Sequence, residues 1–310
     1  MTVATSGTEA VRPRPWRPTP LATGLAVWAL GFVVLPASLA ARIVLLAPLV
    51  VVPRLLAPLA DRPMIRRIGG WPALIAALPL LASFAMPAGV DAAVFALPWL
   101  MVAVLGAAGA IAHGVTRLRS ILRPVGVPDL GVDVALGFLA VAATFVVIDR
   151  LGLSTPFPAV IVLLTAIHFH FAGFGLLGLA SLMARNRPWL RASVIGLVVG
   201  IPLTAVGFVT SSNAVNAVGA LIVGSSGIGV AIALLGGRTR TIAERGSKLA
   251  GLALLVGMPM GIAWSVSILT GFAFIDLDAM IRTHGALNAT AVLIAVITFR
   301  PPAREIPYFR

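Results

Sequence analysis

The chain of 310 residues contains four histidines, and each of them lies within a long apolar stretch of the sequence. They are His113, His168, His170 and His284. Imidazole ligates metals and changes its charge near neutral pH, so these side chains are suited to metal binding or proton transfer. Ionisable groups inside apolar helices are costly and commonly mark an ion or substrate pathway. The histidines are therefore the first candidates for chemistry.

Two of these histidines share one segment, Thr-Ala-Ile-His-Phe-His-Phe-Ala-Gly-Phe-Gly, which begins at Thr165. On a helix, residues two apart point about 200° away from each other, so His168 and His170 cannot both face one small ligand unless the helix is distorted. The rise per residue places them roughly 16–20 Å from the start of their segment, close to mid-bilayer. Either they ligate a metal or carry a proton, or they form hydrogen bonds between helices.

A second polar group opens the last apolar segment, where His284 and Asn288 are four residues apart. This spacing puts both side chains on one helix face, so they could bind a polar group together. Arg282 lies beside them, and Asp149 ends an earlier segment at the same level of the membrane. These residues predict an outward-facing polar vestibule. The alternative is an ordinary solvated rim in which Arg282 pairs with an aspartate.

Two further polar residues lie at the opposite membrane face. His113 is expected to be an interface residue, because joining all four histidines in one metal centre would require strongly tilted or broken helices. Asp133 either caps the start of a helix or forms a proton or cation site. The chain has no cysteine, which excludes thiolate metal sites, disulfides and cysteine nucleophiles. No sequence motif for hydrolase or nucleotide chemistry accompanies the histidines.

The elements that must position these residues are membrane-spanning helices. The chain is 59% hydrophobic and 11% charged, with a mean hydropathy of +1.05, which is far from the composition of soluble domains. We expect an all-α polytopic transmembrane helix bundle over residues 21–299, between a disordered basic tail (1–20) and a cytoplasmic tail (300–310). About ten spans are predicted, at 21–41, 43–60, 70–88, 92–115, 131–148, 157–183, 190–211, 214–235, 248–270 and 281–299.

Basic residues predict the orientation of these spans. Alternate connections and the two tails carry 20 of the 23 arginines and lysines, whereas the other side has Arg42, Arg150 and Arg282. Basic residues are retained on the cytoplasmic side, so both termini are expected inside. Their scatter between apolar segments argues for a lipid bilayer as the partner rather than nucleic acid. The second segment, with Pro48 and Pro53, is predicted to be kinked, to end near Val52 with Arg54 reaching the membrane interface, or to be re-entrant.

Three segments of the chain carry a family resemblance. They are Thr165 to Phe174, Arg282 to Ala289, and the Leu-Ala-Pro-Leu-Val-Val-Val-Pro run from Leu46 to Pro53. With these segments the sequence resembles the YndJ-like family of bacterial membrane proteins over essentially its whole length. The resemblance implies a multi-span protein of the bacterial plasma membrane, in a family often described as transporters without an established substrate. It also marks four characteristic positions, which are His168, His170, His284 and Asn288.

Three functions remain open at this point. The leading hypothesis is a transporter or permease for a small solute, without a cofactor, in which His168 or His170 forms a midplane site and His284 with Asn288 an outer gate. The second is an intramembrane metal- or haem-binding oxidoreductase, with His168, His170 and His284 as ligands. The third is a non-catalytic structural or sensory component. Under the leading hypothesis the protein is not an enzyme.

Overall fold

The fold is a bundle of helices. The computed structural model describes residues 19–60, 62–121, 123–237, 239–272 and 274–300, and these residues contain no strand. The two predicted tails lie outside the described residues except for Thr19, Pro20 and Arg300. Ten apolar helices follow one another in these ranges: α1 Pro20–Val34, α2 Leu39–Leu59, α3 Trp71–Ala85, α4 Val90–Arg117, α5 Pro124–Leu151, α6 Ala159–Ala184, α7 Pro188–Val209, α8 Asn213–Leu235, α9 Ile242–Thr270 and α10 Leu277–Thr298.

Eight of the ten helices are long and apolar enough to cross a membrane. The exceptions are α1 and α3, which are apolar but shorter. Each helix corresponds to one of the ten segments expected from the sequence. The structure therefore confirms a multi-pass helical membrane protein, whereas ten full spans and their orientation stay predictions.

Local sequence signals explain where several helices begin and end. Thr19 and Ser38 cap α1 and α2, because each hydroxyl oxygen accepts a hydrogen bond from a backbone N–H three residues later at 3.2 Å. Thr241 and Glu244 form a reciprocal capping box at the start of α9. At the start of α10, Asp276 Oδ1 accepts a hydrogen bond from the Ala279 N–H at 2.6 Å. Thus each of these helices starts at a residue that satisfies its free N–H groups.

The centre of the bundle is formed by α2 and α6. In the most apolar part of each helix, 83% of the residues of α2 and 67% of those of α6 are buried, compared with 28–44% for the other long helices. From Leu49 to Val52, α2 has no exposed side-chain surface. The helix continues from Leu39 to Leu59 without reversing, which favours a crossing helix over a re-entrant segment. The peripheral helices turn apolar side chains outward, as expected in lipid.

Three helices widen locally into π-helical turns, in which the backbone bonds span five residues instead of four. These turns are Ala47–Val51 in α2, Phe169–Leu176 in α6 and Ile281–Gly285 in α10. The first two meet α10 at Gly175, where an added Cβ atom would lie 2.7 Å from Val292 Cγ1 and 3.5 Å from Val51 Cγ1. Glycine is therefore required for this close approach. The widened turns fall in the three segments that carry the family resemblance.

Candidate functional site

His170 is fixed inside the bundle by α4. The indole Nε1–H of Trp99 donates a hydrogen bond to His170 Nε2 at 3.2 Å, and the two rings stack with centroids 6.0 Å apart. The other ring nitrogen, Nδ1, donates to the Ala166 carbonyl at 2.9 Å. Both side chains are completely buried. Since both nitrogens of His170 have partners, this geometry makes it an interhelical hydrogen-bonding residue.

His168 points elsewhere, as the spacing of two residues requires. Its imidazole is exposed, and Nδ1 donates to the Leu164 carbonyl at 2.8 Å. No described residue bonds to its Nε2. His168 belongs to α6 and His284 to α10, and these two helices pack against each other. The two histidines of α6 therefore have different surroundings, and only His168 keeps a free ring nitrogen.

His284 is held between two helices. Its Nδ1 lies 2.8 Å from the Gly257 carbonyl oxygen of α9 and 3.0 Å from Asn288 Nδ2, one turn further along α10. The predicted shared face of His284 and Asn288 is thus confirmed. The short contact with a carbonyl places a proton on Nδ1, and this leaves Nε2 without a described partner. A histidine oriented through Nδ1 in this way presents Nε2 to a ligand.

A groove on α9 receives these two side chains. A Cβ atom on Gly257 would lie 2.2 Å from Asn288 Oδ1, and one on Gly261 would lie 2.6 Å from His284 Cε1. The glycines are four residues apart and therefore occupy one helix face. Pro259, between them, lies inside the helix and cannot donate a backbone hydrogen bond. Any larger residue in the groove would displace the site.

The amide of Asn288 retains one unpaired polar end. Its Oδ1 is buried and has no hydrogen-bond partner among the described residues. If the amide is turned over, Oδ1 shares the Nδ1 proton of His284 and the NH2 group is left unpaired instead. Buried polar groups in proteins are nearly always paired. Either orientation therefore leaves a polar group available to a ligand beside His284.

A cavity of about 540 Å³ lies above these residues, at one end of the bundle. Its lining includes Asp149 and Arg150 at the end of α5, Leu163 of α6, and Asp278 and Ile281 of α10. With a rise of 1.5 Å per residue, His168 lies about 7 Å beyond Leu163 and His284 about 4 Å beyond Ile281. The histidines are thus roughly one helical turn deeper than the cavity wall.

Ion pairs order the rim of this cavity. Arg150 lies 3.4 Å from Asp149 and donates to the Met86 carbonyl at 2.8 Å. Arg282 forms an ion pair with Asp278, and both side chains are more than half exposed. Asp149 therefore lies at the cavity as expected from the sequence. Arg282 instead agrees with the alternative interpretation, in which it is a solvated residue at the rim that pairs with an aspartate.

His113 and Asp133 lie at the other end of the bundle. The expectation that Asp133 caps a helix was wrong, because α5 begins nine residues before it, at Pro124. Its carboxylate contacts Arg62 and His113 instead. That His113 lies at the membrane interface stays a prediction. The described structure therefore separates it from His168 and His284.

Several hydrogen-bond partners of the histidines and of Asp133 were not predicted from the sequence. Trp99 and Gly257 belong to other helices than the histidines they contact, and Arg62 lies 71 residues from Asp133. The only available signals were an indole within a span and the four-residue glycine spacing at 257 and 261. Among the described residues, no group of three or more histidines, aspartates or glutamates could hold a metal. Metal or haem ligation by His168, His170 and His284 stays an untested prediction.

An apolar bundle of this kind, with buried polar side chains between its helices, defines a polytopic membrane protein. Residues 42–292, which are most of the chain, match the family model described as YndJ-like protein. The chain belongs to the YndJ-like family. No curated protein and no solved structure matches it significantly.

Proposed function

We propose that this protein is a transporter or permease for a small solute in the bacterial plasma membrane, with ten spans and both termini in the cytoplasm. The observation that carries the proposal is the position of His168 and His284 on two helices that pack against each other, both deeper than the wall of the cavity. Each ring is oriented by a bond from Nδ1 to a backbone carbonyl, and each keeps Nε2 free. Transporters commonly bind their substrates at such polar groups between distorted helices.

The chemistry of the site limits the solute. Two neutral imidazoles offer lone pairs at Nε2, and the cavity above them is lined by Asp149 and Asp278, which are paired with Arg150 and Arg282. A solute that donates hydrogen bonds, or a small cation, fits these acceptors better than an anion does. Asp149 would contact such a solute at the rim beside its partner Arg150, while His168, His284 and Asn288 would bind it. Protonation of either imidazole would remove a lone pair and add a repelling charge.

Uptake into proteoliposomes tests the proposal. The panel contains labelled amines, amino acids, polyols and transition-metal ions, and the variants are His168→Gln and His284→Gln. We expect one solute class to be transported and each substitution to reduce its uptake by at least about tenfold, which corresponds to loss of one hydrogen bond worth about 1.5 kcal/mol. Arg282→Gln is the matched control, because its ion pair is exposed. Absence of uptake for every solute class would refute the proposal.

A metal-binding oxidoreductase is the second candidate, and the same two rings favour it. Histidines that bind metals usually donate the other ring N–H to a carbonyl or carboxylate, as His168 and His284 do. Metal analysis and the absorption spectrum of protein purified without a histidine tag distinguish the two functions. A stoichiometric metal or haem that is lost in His284→Gln would support this candidate. Metal-free, colourless protein that transports solute would exclude it.

A further inference from the structure

A short amphipathic helix, Pro63–Ile68, lies between α2 and α3 at the end of the bundle opposite the cavity. Its Ile65 and Ile68 side chains are buried, with 2% and 6% exposure, whereas Arg66 and Arg67 are exposed. Within the described ranges, neither of these two guanidinium groups has an ion-pair or hydrogen-bond partner. The helix therefore presents two adjacent positive charges that no described part of the protein neutralises.

Two contacts show that this helix lies beside α4 rather than beyond its end. An added Cβ atom on Gly109 would lie 2.8 Å from Met64 Cβ. One on Gly106 would lie 3.5 Å from Ile68 Cδ1. From Gly109, α4 continues for about 12 Å to Arg117. The two exposed arginines lie between these contacts, so their backbone is about two to three turns short of the end of α4.

The protein surface next to the two arginines is shorter than a bilayer is thick. At 1.5 Å per residue, α1 and α3 are each about 22 Å long, compared with about 30 Å for the hydrocarbon core. They begin at the same level, because an added Cβ atom on Gly70 would lie 4.0 Å from Pro20 Cγ. A surface this short draws lipid headgroups toward it or thins the bilayer. Trp71, the first residue of α3, is 41% exposed, as is typical of an aromatic side chain at headgroup level.

We propose that Arg66 and Arg67 bind the phosphate headgroup of an anionic phospholipid in the leaflet at this end of the bundle. Charge complementarity identifies this partner, because exposed cations at the level of apolar helices are costly unless an anion meets them. A guanidinium group can bind a phosphate through two parallel N–H donors. Arg282, which is also exposed, differs because Asp278 already neutralises it.

The acyl chains of the bound lipid would lie along α3. Trp71 and Ile75 are both exposed and are four residues apart, so they occupy one face of this helix. This lipid site lies at the other end of the bundle from the cavity above His168 and His284, and the proposal does not depend on the solute.

The absence of cysteine allows a site-specific test. Ile75, which is 61% exposed, is replaced by Cys and labelled with a bimane fluorophore in full-length protein, in vesicles of phosphatidylcholine and phosphatidylglycerol. Quenching by brominated phosphatidylglycerol, compared with brominated phosphatidylcholine at equal mole fraction, gives the relative binding of the two lipids beside the probe. We expect phosphatidylglycerol to be preferred by at least about fivefold, which is the factor for one arginine near headgroups. The same probe at Val94→Cys, which is 54% exposed at the cavity end of α4, should show no preference.

Substitution of the arginines decides the outcome. Arg66→Gln with Arg67→Gln should lower the preference beside Ile75→Cys to about one, and each single substitution should lower it part of the way. Arg119→Gln removes an exposed charge beyond the end of α4 and should leave the preference unchanged. The proposal is overturned if phosphatidylglycerol is not preferred, or if the preference is equal beside Val94→Cys. It is also overturned if the arginine substitutions leave the preference intact, or if Arg119→Gln lowers it as much as Arg66→Gln does. The single substitutions serve as the test if the double variant does not fold.

Discussion

The pairing of Trp99 with His170 gives a prediction that separates a structural histidine from a ligand-binding one. Replacing Trp99 by Phe keeps an aromatic ring at the position but removes the Nε1–H group. His170 Nε2 then loses its donor at 3.2 Å in a place where neither residue has any exposed surface. The substitution should therefore destabilise the bundle without touching the proposed site.

The expected size follows from two contributions. A buried acceptor left without its partner costs about 1–3 kcal/mol, although hydrogen bonds between membrane helices average only about 0.6 kcal/mol and reach about 1.7. The smaller ring also leaves a cavity, which adds about 1 kcal/mol. Together these effects predict that Trp99→Phe lowers the free energy of unfolding by about 2–3 kcal/mol.

Reversible unfolding in detergent micelles measures this change. Trp189→Phe is the matched control, because Trp189 is 52% exposed and should tolerate the substitution within about 0.5 kcal/mol. A double-mutant cycle of Trp99→Phe with His170→Leu isolates the pair, and a coupling of about 0.6–1.7 kcal/mol is expected. If Trp99→Phe is as stable as the control, or the coupling is near zero, then Trp99 does not hold His170. His170 would then again be a candidate for ligand binding.

Three other results are expected. Gly257→Ala should displace Asn288, because the added methyl overlaps the amide. We expect it to lower the free energy of unfolding by about 2–3 kcal/mol and to reduce any transport activity. The control is Gly137→Ala, whose added methyl meets no atom within 4 Å, and it should be neutral or stabilising in the same unfolding and uptake assays. In intact cells, an impermeant maleimide should label Ser212→Cys but label Thr239→Cys only after lysis. The opposite labelling pattern would contradict the predicted orientation. Asp278→Asn should change the free energy of unfolding by less than about 1 kcal/mol, since its ion pair with Arg282 is exposed.

The helices could be predicted from the sequence because membrane helices satisfy their own backbone and must be apolar over a fixed length. Each expected segment corresponds to one helix, although α5 begins at Pro124, earlier than expected. That difference explains the error at Asp133, since the tenth residue of α5 cannot cap its start. The search for long apolar segments did not include these first turns of α5, because they contain the charged residue Asp129.

The site was predictable only where it depends on one helix. Spacing alone separated His168 from His170 and brought His284 next to Asn288. Spacing could not identify Trp99, Gly257 or Arg62 as partners, because the rotation and neighbours of each helix are set by packing with other helices. The π-helical turns could not be predicted from residue spacing either. Such turns change the rotation of every residue after them.

These turns account for the geometry of the site. An α-helix advances 100° per residue, so one extra residue in a turn rotates the following part of the helix by a comparable angle. In α6 the widening begins at Phe169, directly after His168, and in α10 it includes His284. After His168, Gly175 packs against both α10 and α2, and Gly178 packs against α2. The segments of α6 and α10 that carry the family resemblance thus contain both the histidines and the π-helical turns. These turns help to set the direction in which each imidazole faces.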